Sequence, residues 1–180
     1  CIRDRSITDT SASNTTDTLA DFQRLSDGGE LLQRFSLMGN DDLDSGYLKI
    51  LLDENRLPDL ENLVVRINQA RRKGRNLAFH CVTHLELVFA LAALAEATPC
   101  EVGFDRIEHG AVVNDEMAHR LADLGLPVIT QPGFLFSKGD QYLADLTRTE
   151  LGSLYRFAGL QRLGVGVVAS SDAPYGLVNP

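Results

Sequence analysis

Short apolar runs alternate with amphipathic stretches along this chain, and the alternation predicts repeated strand–helix units. Residues 6–10 read as a first strand, and residues 15–25 follow with helical spacing until Asp27-Gly28-Gly29 stops them. Residues 33–38 and 47–52 are the second and third strands. The next helix opens at Pro58-Asp59, with Asp59 as its N-cap, and closes at Gly74 after the basic turn Arg71-Arg72-Lys73. Residues 76–80 form the fourth strand. Thr83 and Glu86 have the spacing of a capping box, opening an apolar helix that runs through Ala97. Arg106-Ile107-Glu108-His109 is the fifth strand, Asn114 starts a helix and Gly125 closes it. Residues 126–131 are the sixth strand, and a helix over about 149–163 leads through Gly164 to the seventh, 165–170.

Strands joined by helical crossovers run parallel. Seven such strands fit either an open doubly wound sheet or most of an eight-stranded barrel. A complete barrel typically takes about 250 residues, and this chain has 180. Periodicity does not choose between the two architectures.

Composition narrows the function classes. With 44% hydrophobic and 23% charged residues the chain can bury the core of one domain. A net charge of -8 argues against a nucleic-acid partner, because phosphate binding needs clustered Lys and Arg. No run approaches eighteen uninterrupted apolar residues, so no membrane span or membrane partner is expected. Cys1, Cys81 and Cys100 are odd in number and form no CxxC, which favours a reducing, cytoplasmic compartment. The chain starts without Met or a signal-peptide pattern and stops at Asn179-Pro180, so residues 1–180 are expected to be one partial domain truncated at both ends.

The chemistry is concentrated at strand ends, where active sites of parallel α/β folds sit. His80 ends Leu-Ala-Phe-His, His109 ends Arg-Ile-Glu-His, and Asp172 ends Val-Val-Ala-Ser-Ser-Asp. Imidazole nitrogen and carboxylate oxygen are ordinary ligands of Zn²⁺ and related ions. A single such His is as readily a hydrogen-bonded core or rim residue; three around one sheet are harder to dismiss. Lys49 lies inside Tyr-Leu-Lys-Ile-Leu-Leu, a strand that a parallel sheet buries. A buried ammonium must pair or lose its proton. A neutral amine can add CO₂, and the resulting carbamate can bridge two metal ions. The plainer alternatives are a salt bridge to Asp53 or Glu54, or an edge strand that leaves Lys49 in water.

The order Tyr-Leu-Lys-Ile-Leu-Leu-Asp-Glu (47–54), His-Cys-Val-Thr (80–83), Arg-Ile-Glu-His (106–109), Thr-Gln-Pro (130–132) and Ser-Ser-Asp-Ala-Pro (170–174) resembles the YtcJ-like branch of the amidohydrolase superfamily, amidohydrolase family 3. The resemblance implies an α/β fold, an incomplete TIM (β/α)₈ barrel holding strands two to eight with outer helices. It implies Lys49 as a carboxylated, bridging lysine, His80 and His109 as metal ligands, and Asp172 as both ligand and general base. Members also carry a His-x-His pair on strand one, which this sequence lacks. His84 stands where many relatives have an acidic residue, and Gly133 where a bulkier one is frequent. Both departures bear on substrate more than on chemistry.

The implied activity is hydrolysis of an amide or another non-peptide C–N bond, with the 180-residue chain by itself expected to be inactive. The implied cofactors are one or two divalent metal ions, zinc first among them, with a carbamate on Lys49. The expected partner is a small amide-type molecule, and a homo-oligomer is compatible with all of this. Gln131 and His84 are candidate substrate contacts, although His84 reads more simply as a first-turn helix residue. Arg106 suits a structural salt bridge, Cys81 a core position, and His119 a solvated helix face. An ester, lactone or phosphoester hydrolase on the same barrel, or a metal-free binding module, remains the rival reading.

Overall fold

Residues 5–99 and 105–176 are described by the computed structural model of the protein. Cys1 and Cys100 lie outside the described residues. The described part begins with β1 (Ser6–Asp9), α1 (Thr16–Asp27), β2 (Arg34–Leu37), β3 (Leu48–Leu51), α2 (Leu60–Arg72), β4 (Leu77–Cys81) and α3 (His84–Glu96). It continues with β5 (Arg106–His109), α4 (Asp115–Asp123), β6 (Val128–Thr130), α5 (Phe134–Asp145), α6 (Arg148–Leu151), α7 (Phe157–Arg162) and β7 (Val167–Ala169). None of these helices is long and apolar enough to cross a membrane.

The helix boundaries follow local chemistry. Asp59 accepts from Asn62 N as N-cap of α2, and Thr83 with Glu86 forms the reciprocal capping box of α3. Gly74 and Gly125 sit just past helix ends at φ +70° and +64°, the left-handed conformation that lets the chain turn back into a strand. The helix expected over 149–163 is instead two short ones, α6 and α7. Between them Leu154 bridges Val112, and Tyr155, at φ 42°, donates its N–H to Ala111 O at 2.7 Å. Those tertiary bonds outweigh continued helix. α5 was not expected at all: it carries a weak helix former, Gly139, in its interior, Leu135, Phe136 and Leu143 are exposed, and its N-cap Gly133 offers no side-chain bond.

All strand pairs are parallel, and β3 to β7 pair in chain order. A doubly wound sheet would reverse its order at a switch point; consecutive order without reversal is the arrangement of a barrel wall. β1 and β2 form a second parallel pair. Two links tie that pair to β3. One is the bridge between Gly39 and Leu48, with Lys49 N–H donating to Gly39 O at 2.9 Å. The other is Arg75, 3% exposed, whose guanidinium donates to the carbonyls of Asn40, Tyr47, Gly46 and Gly39 at 2.7, 3.0, 3.3 and 3.4 Å.

Alternation then sorts the side chains. Leu48, Ile50, Leu77, Phe79, Cys81, Ile107 and Val128 point outward into the main core, where Leu63, Ile67, Leu87, Leu91, Leu121 and Leu160 of the helices cover them. The inward positions are Lys49, Leu51, Ala78, His80, Arg106, Glu108, Ile129 and Val168. Below the site, Asp105 is 4% exposed and locks the strand starts. Its Oδ1 accepts from Arg71 and from Leu77 N–H at 2.9 and 2.8 Å, and its Oδ2 accepts from Arg71 at 2.5 Å.

Candidate active site

The inward face of the sheet borders an open cavity of about 1590 Å³, and Lys49, His80, His109 and Asp172 all line it. Lys49 is fixed by strand alternation. It is 4% exposed, and among the described residues no hydrogen bond or ion pair reaches its ammonium. Neither Asp53 nor Glu54 approaches it: Asp53 instead accepts from Asn55, and both carboxylates sit on the exposed turn after β3. Burial lowers the Lys49 pKa, opposed first by the nearby charge of Glu108 and more weakly by Asp172.

His80 is the penultimate residue of β4, because the strand continues to Cys81. Its ring meets that of His109 edge-on, with centroids 4.4 Å apart. His109 would point outward if β5 kept its alternation. At φ 69° it leaves the extended region and lines the cavity instead, with Gly110 at φ 50° completing the turn. A Cβ on Gly110 would lie 2.5 Å from Val128 Cγ1, so only glycine fits there. Burial holds both imidazoles at a pKa of about 4, so both are neutral at pH 7. Asp172 follows β7 at φ 50°, and burial raises its carboxyl above the usual range against the pull of Lys49, His80 and Lys138.

The other sequence candidates separate. Gln131 is 3% exposed and hydrogen-bonds His109 Nδ1 through Oε1 at 2.8 Å. His84, half-buried at the start of α3, does not line the cavity. Arg106 does line it, bound to Glu108 at 2.5 Å and stacked 4.8 Å over the Tyr47 ring. Cys81 is 1% exposed in the main core, and burial pushes its thiol pKa up. His119 is a surface residue whose Nδ1 lies 2.8 Å from Asp115 O. Sequence reading missed one wall of the cavity, made by Phe134, Lys138, Tyr142 and Tyr155. The Lys138 ammonium lies 4.2 Å from the Phe134 ring centroid. The i, i+4 and i+8 spacing of Phe134, Lys138 and Tyr142 was the available signal, and Tyr155 lies outside it.

The donor set suits a divalent cation in chemistry: two neutral imidazoles, a carboxylate and a desolvated amine face one space. Among the described residues, no three His, Cys, Asp or Glu side chains group closely enough to hold an ion by themselves. Lys49 is the residue whose charge reaches all of the other three, shifting His80, His109 and Asp172 alike.

Residues 8–180 match the model of a family described as the Amidohydrolase family. The chain is 28% identical over 122 residues to a protein named as the amidohydrolase YtcJ of Bacillus subtilis strain 168, covering 68% of this chain and 23% of that protein. It is 29% identical over 128 residues to the N-substituted formamide deformylase of Arthrobacter pascens, covering 68% and 22%. The chain thus spans under a quarter of the length of these curated relatives. Crystal structures of uncharacterized metal-dependent hydrolases from Pyrococcus furiosus and Pyrococcus horikoshii OT3 each superpose with a TM-score of 0.79 at 19% identity. Both cover 98% of this chain, and 44% and 43% of the hydrolase chains respectively, which shows a shared fold.

Proposed function

Because the chain belongs to the amidohydrolase family, we propose that it carries the working wall of a metal-dependent hydrolase that cleaves an amide or other non-peptide C–N bond. We read residues 1–180 as part of one barrel domain and its partner as a small amide-type molecule. The observation that supports this most is Lys49: buried, without a counter-ion among the described residues, and felt electrostatically by His80, His109 and Asp172.

A divalent cation, zinc in this reading, would be held by His80, His109, Asp172 and Lys49 as its carbamate, and would supply Lewis-acid charge that lowers the pKa of water toward about 7. The chain's own groups do the rest. Burial keeps both imidazole lone pairs unprotonated at neutral pH. Desolvation favours the neutral Lys49 amine, the form able to take up CO₂. Asp172, with its raised proton affinity, accepts a proton from the attacking water and returns it to the departing nitrogen. The aromatic wall of Phe134, Tyr142 and Tyr155 gives the substrate an apolar surface to lie against.

The test uses the intact protein. Metal content is measured beside turnover of an N-substituted formamide, an aryl ester and a phosphoester. The reading expects stoichiometric divalent metal and preferential formamide cleavage. Lys49→Ala is expected to remove both metal and turnover, with added bicarbonate restoring neither. Full metal and full activity in Lys49→Ala would overturn it.

A further inference from the structure

The ends of β5, β6 and β7 are tied together by one buried amide. Gln131, immediately after β6, places Oε1 at 2.8 Å from His109 Nδ1, while its Nε2 donates to Ser170 Oγ at 2.9 Å and Ile129 O at 3.3 Å. A side-chain amide has one accepting end and one donating end, and its orientation follows from its partners. Turning the amide over would set its oxygen against the Ile129 carbonyl, acceptor to acceptor. It would also require His109 Nδ1 to be the acceptor. With the nitrogen serving two acceptors, the oxygen faces His109 and needs a proton from it. In a neutral ring that proton is the only one, and Nε2 keeps the lone pair.

We propose that Gln131 is a positioning residue that fixes His109 as its Nδ1–H tautomer and fastens the ring to the segment carrying Asp172. Three observations bear on this. Both N–H donors of Gln131 are used within the protein, so none is left to offer a substrate. His109 holds a left-handed backbone, φ 69°, which persists only where surrounding bonds over-determine it; Gln131 supplies one of them, and Gly110 N–H donating to Cys81 O at 2.9 Å another. Ser170, the third member, stands two residues before Asp172, and its own N–H donates to Thr130 O at 2.9 Å. One side chain therefore couples the orientation of His109 to the placement of Asp172. The inference rests on His109 as a working residue of the proposed site, yet the tautomer can be read without metal or substrate.

The intact protein with ¹⁵N-labelled histidine, freed of metal by chelator, reports the protonated ring nitrogen of His109 by its chemical shift. The wild type is expected to show Nδ1–H. Gln131→Leu is expected to lower the Nδ1–H to Nε2–H ratio at least about fivefold, the loss of one net hydrogen bond. Gln131→Glu keeps an acceptor in place and is expected to keep Nδ1–H. Affinity for added Zn²⁺ is expected to fall about 10- to 100-fold in Gln131→Leu and to recover in part in Gln131→Glu. An Nε2–H ring in the wild type, or an unaltered tautomer in Gln131→Leu, would overturn the proposal. Should Gln131→Leu not fold, Gln131→Met, which removes the accepting oxygen at nearly the same side-chain length, carries the same test with the same overturning result. A shifted tautomer with unchanged Zn²⁺ affinity would uphold Gln131 as positioning His109 while removing His109 from the metal site.

Discussion

Replacing Lys49 by methionine removes a charge while keeping nearly the same length of buried chain, so stability and function should move in opposite directions. Lys49 is 4% exposed, its outward neighbours Leu48 and Ile50 are 0% and 1% exposed, and no described residue pairs with its ammonium. A polar group buried without a hydrogen bond costs about 1–3 kcal/mol in proteins. Glu108 and Asp172 offset part of that through their charge. The metal-free Lys49→Met protein should therefore be more stable by about 1–2 kcal/mol at pH 7. The assay is urea unfolding in chelator and CO₂-free buffer, reading the midpoint at constant slope. The pH dependence supplies a sign. Burial lowers the folded pKa of Lys49 below its unfolded value of about 10.4. Between the two values the unfolded chain binds more protons, so wild-type stability rises with pH and the advantage of Lys49→Met shrinks. A mutant less stable than wild type by 1 kcal/mol or more, or an advantage indifferent to pH, would mean that Lys49 is satisfied in the fold and would refute the reasoning.

Three other outcomes follow from the same geometry. Asp105→Ala strands the Arg71 guanidinium, whose side chain is 10% exposed, and should cost about 3–5 kcal/mol in urea unfolding; a loss under 1 kcal/mol would show the pair to be expendable. His80 and His109 have folded pKa values of about 4, below the unfolded value of about 6.5. The unfolded state then binds more protons between those values, so the metal-free protein should lose stability as pH falls from 6.5 to 4, and a flat melting midpoint across that window would contradict it. Gly110→Ala places a methyl against Val128 at a left-handed position and should cost about 1–3 kcal/mol with loss of metal binding; an unchanged melt with normal metal uptake would show that this turn relaxes freely.

The barrel wall was legible because its strands are short apolar runs punctuated by Gly and capping residues. The Arg106–His109 strand matches the structure at both ends, and Thr83–Glu86 caps as its spacing requires. Lys49 stood out because an ionisable group within an apolar run contradicts its own surroundings. What sequence could not supply was orientation. His109 reaches the cavity only through a left-handed backbone, invisible to an alternation argument. Gln131 reads from sequence as a free polar group near a pocket; only the fold shows its amide spent on His109, Ser170 and Ile129. α5 escaped because its apolar residues serve the cavity and the surface rather than the main core, so no single hydrophobic stripe marks it.

The way β1, α1 and β2 are attached has a consequence for access. α1 contains no buried residue, and the pair of strands it connects meets the rest of the sheet through one backbone bridge, the Arg75 guanidinium and a bond from Arg106 to Met38 Sδ. Such a flap can peel away at a fraction of the free energy that unfolds the main core. Amide hydrogens of β1 and β2 should exchange with solvent well before those of β4 and β5. Ser6 to Thr10 form one side of the cavity, so the same breathing would admit bulky molecules sideways, between the strands rather than past the mouth.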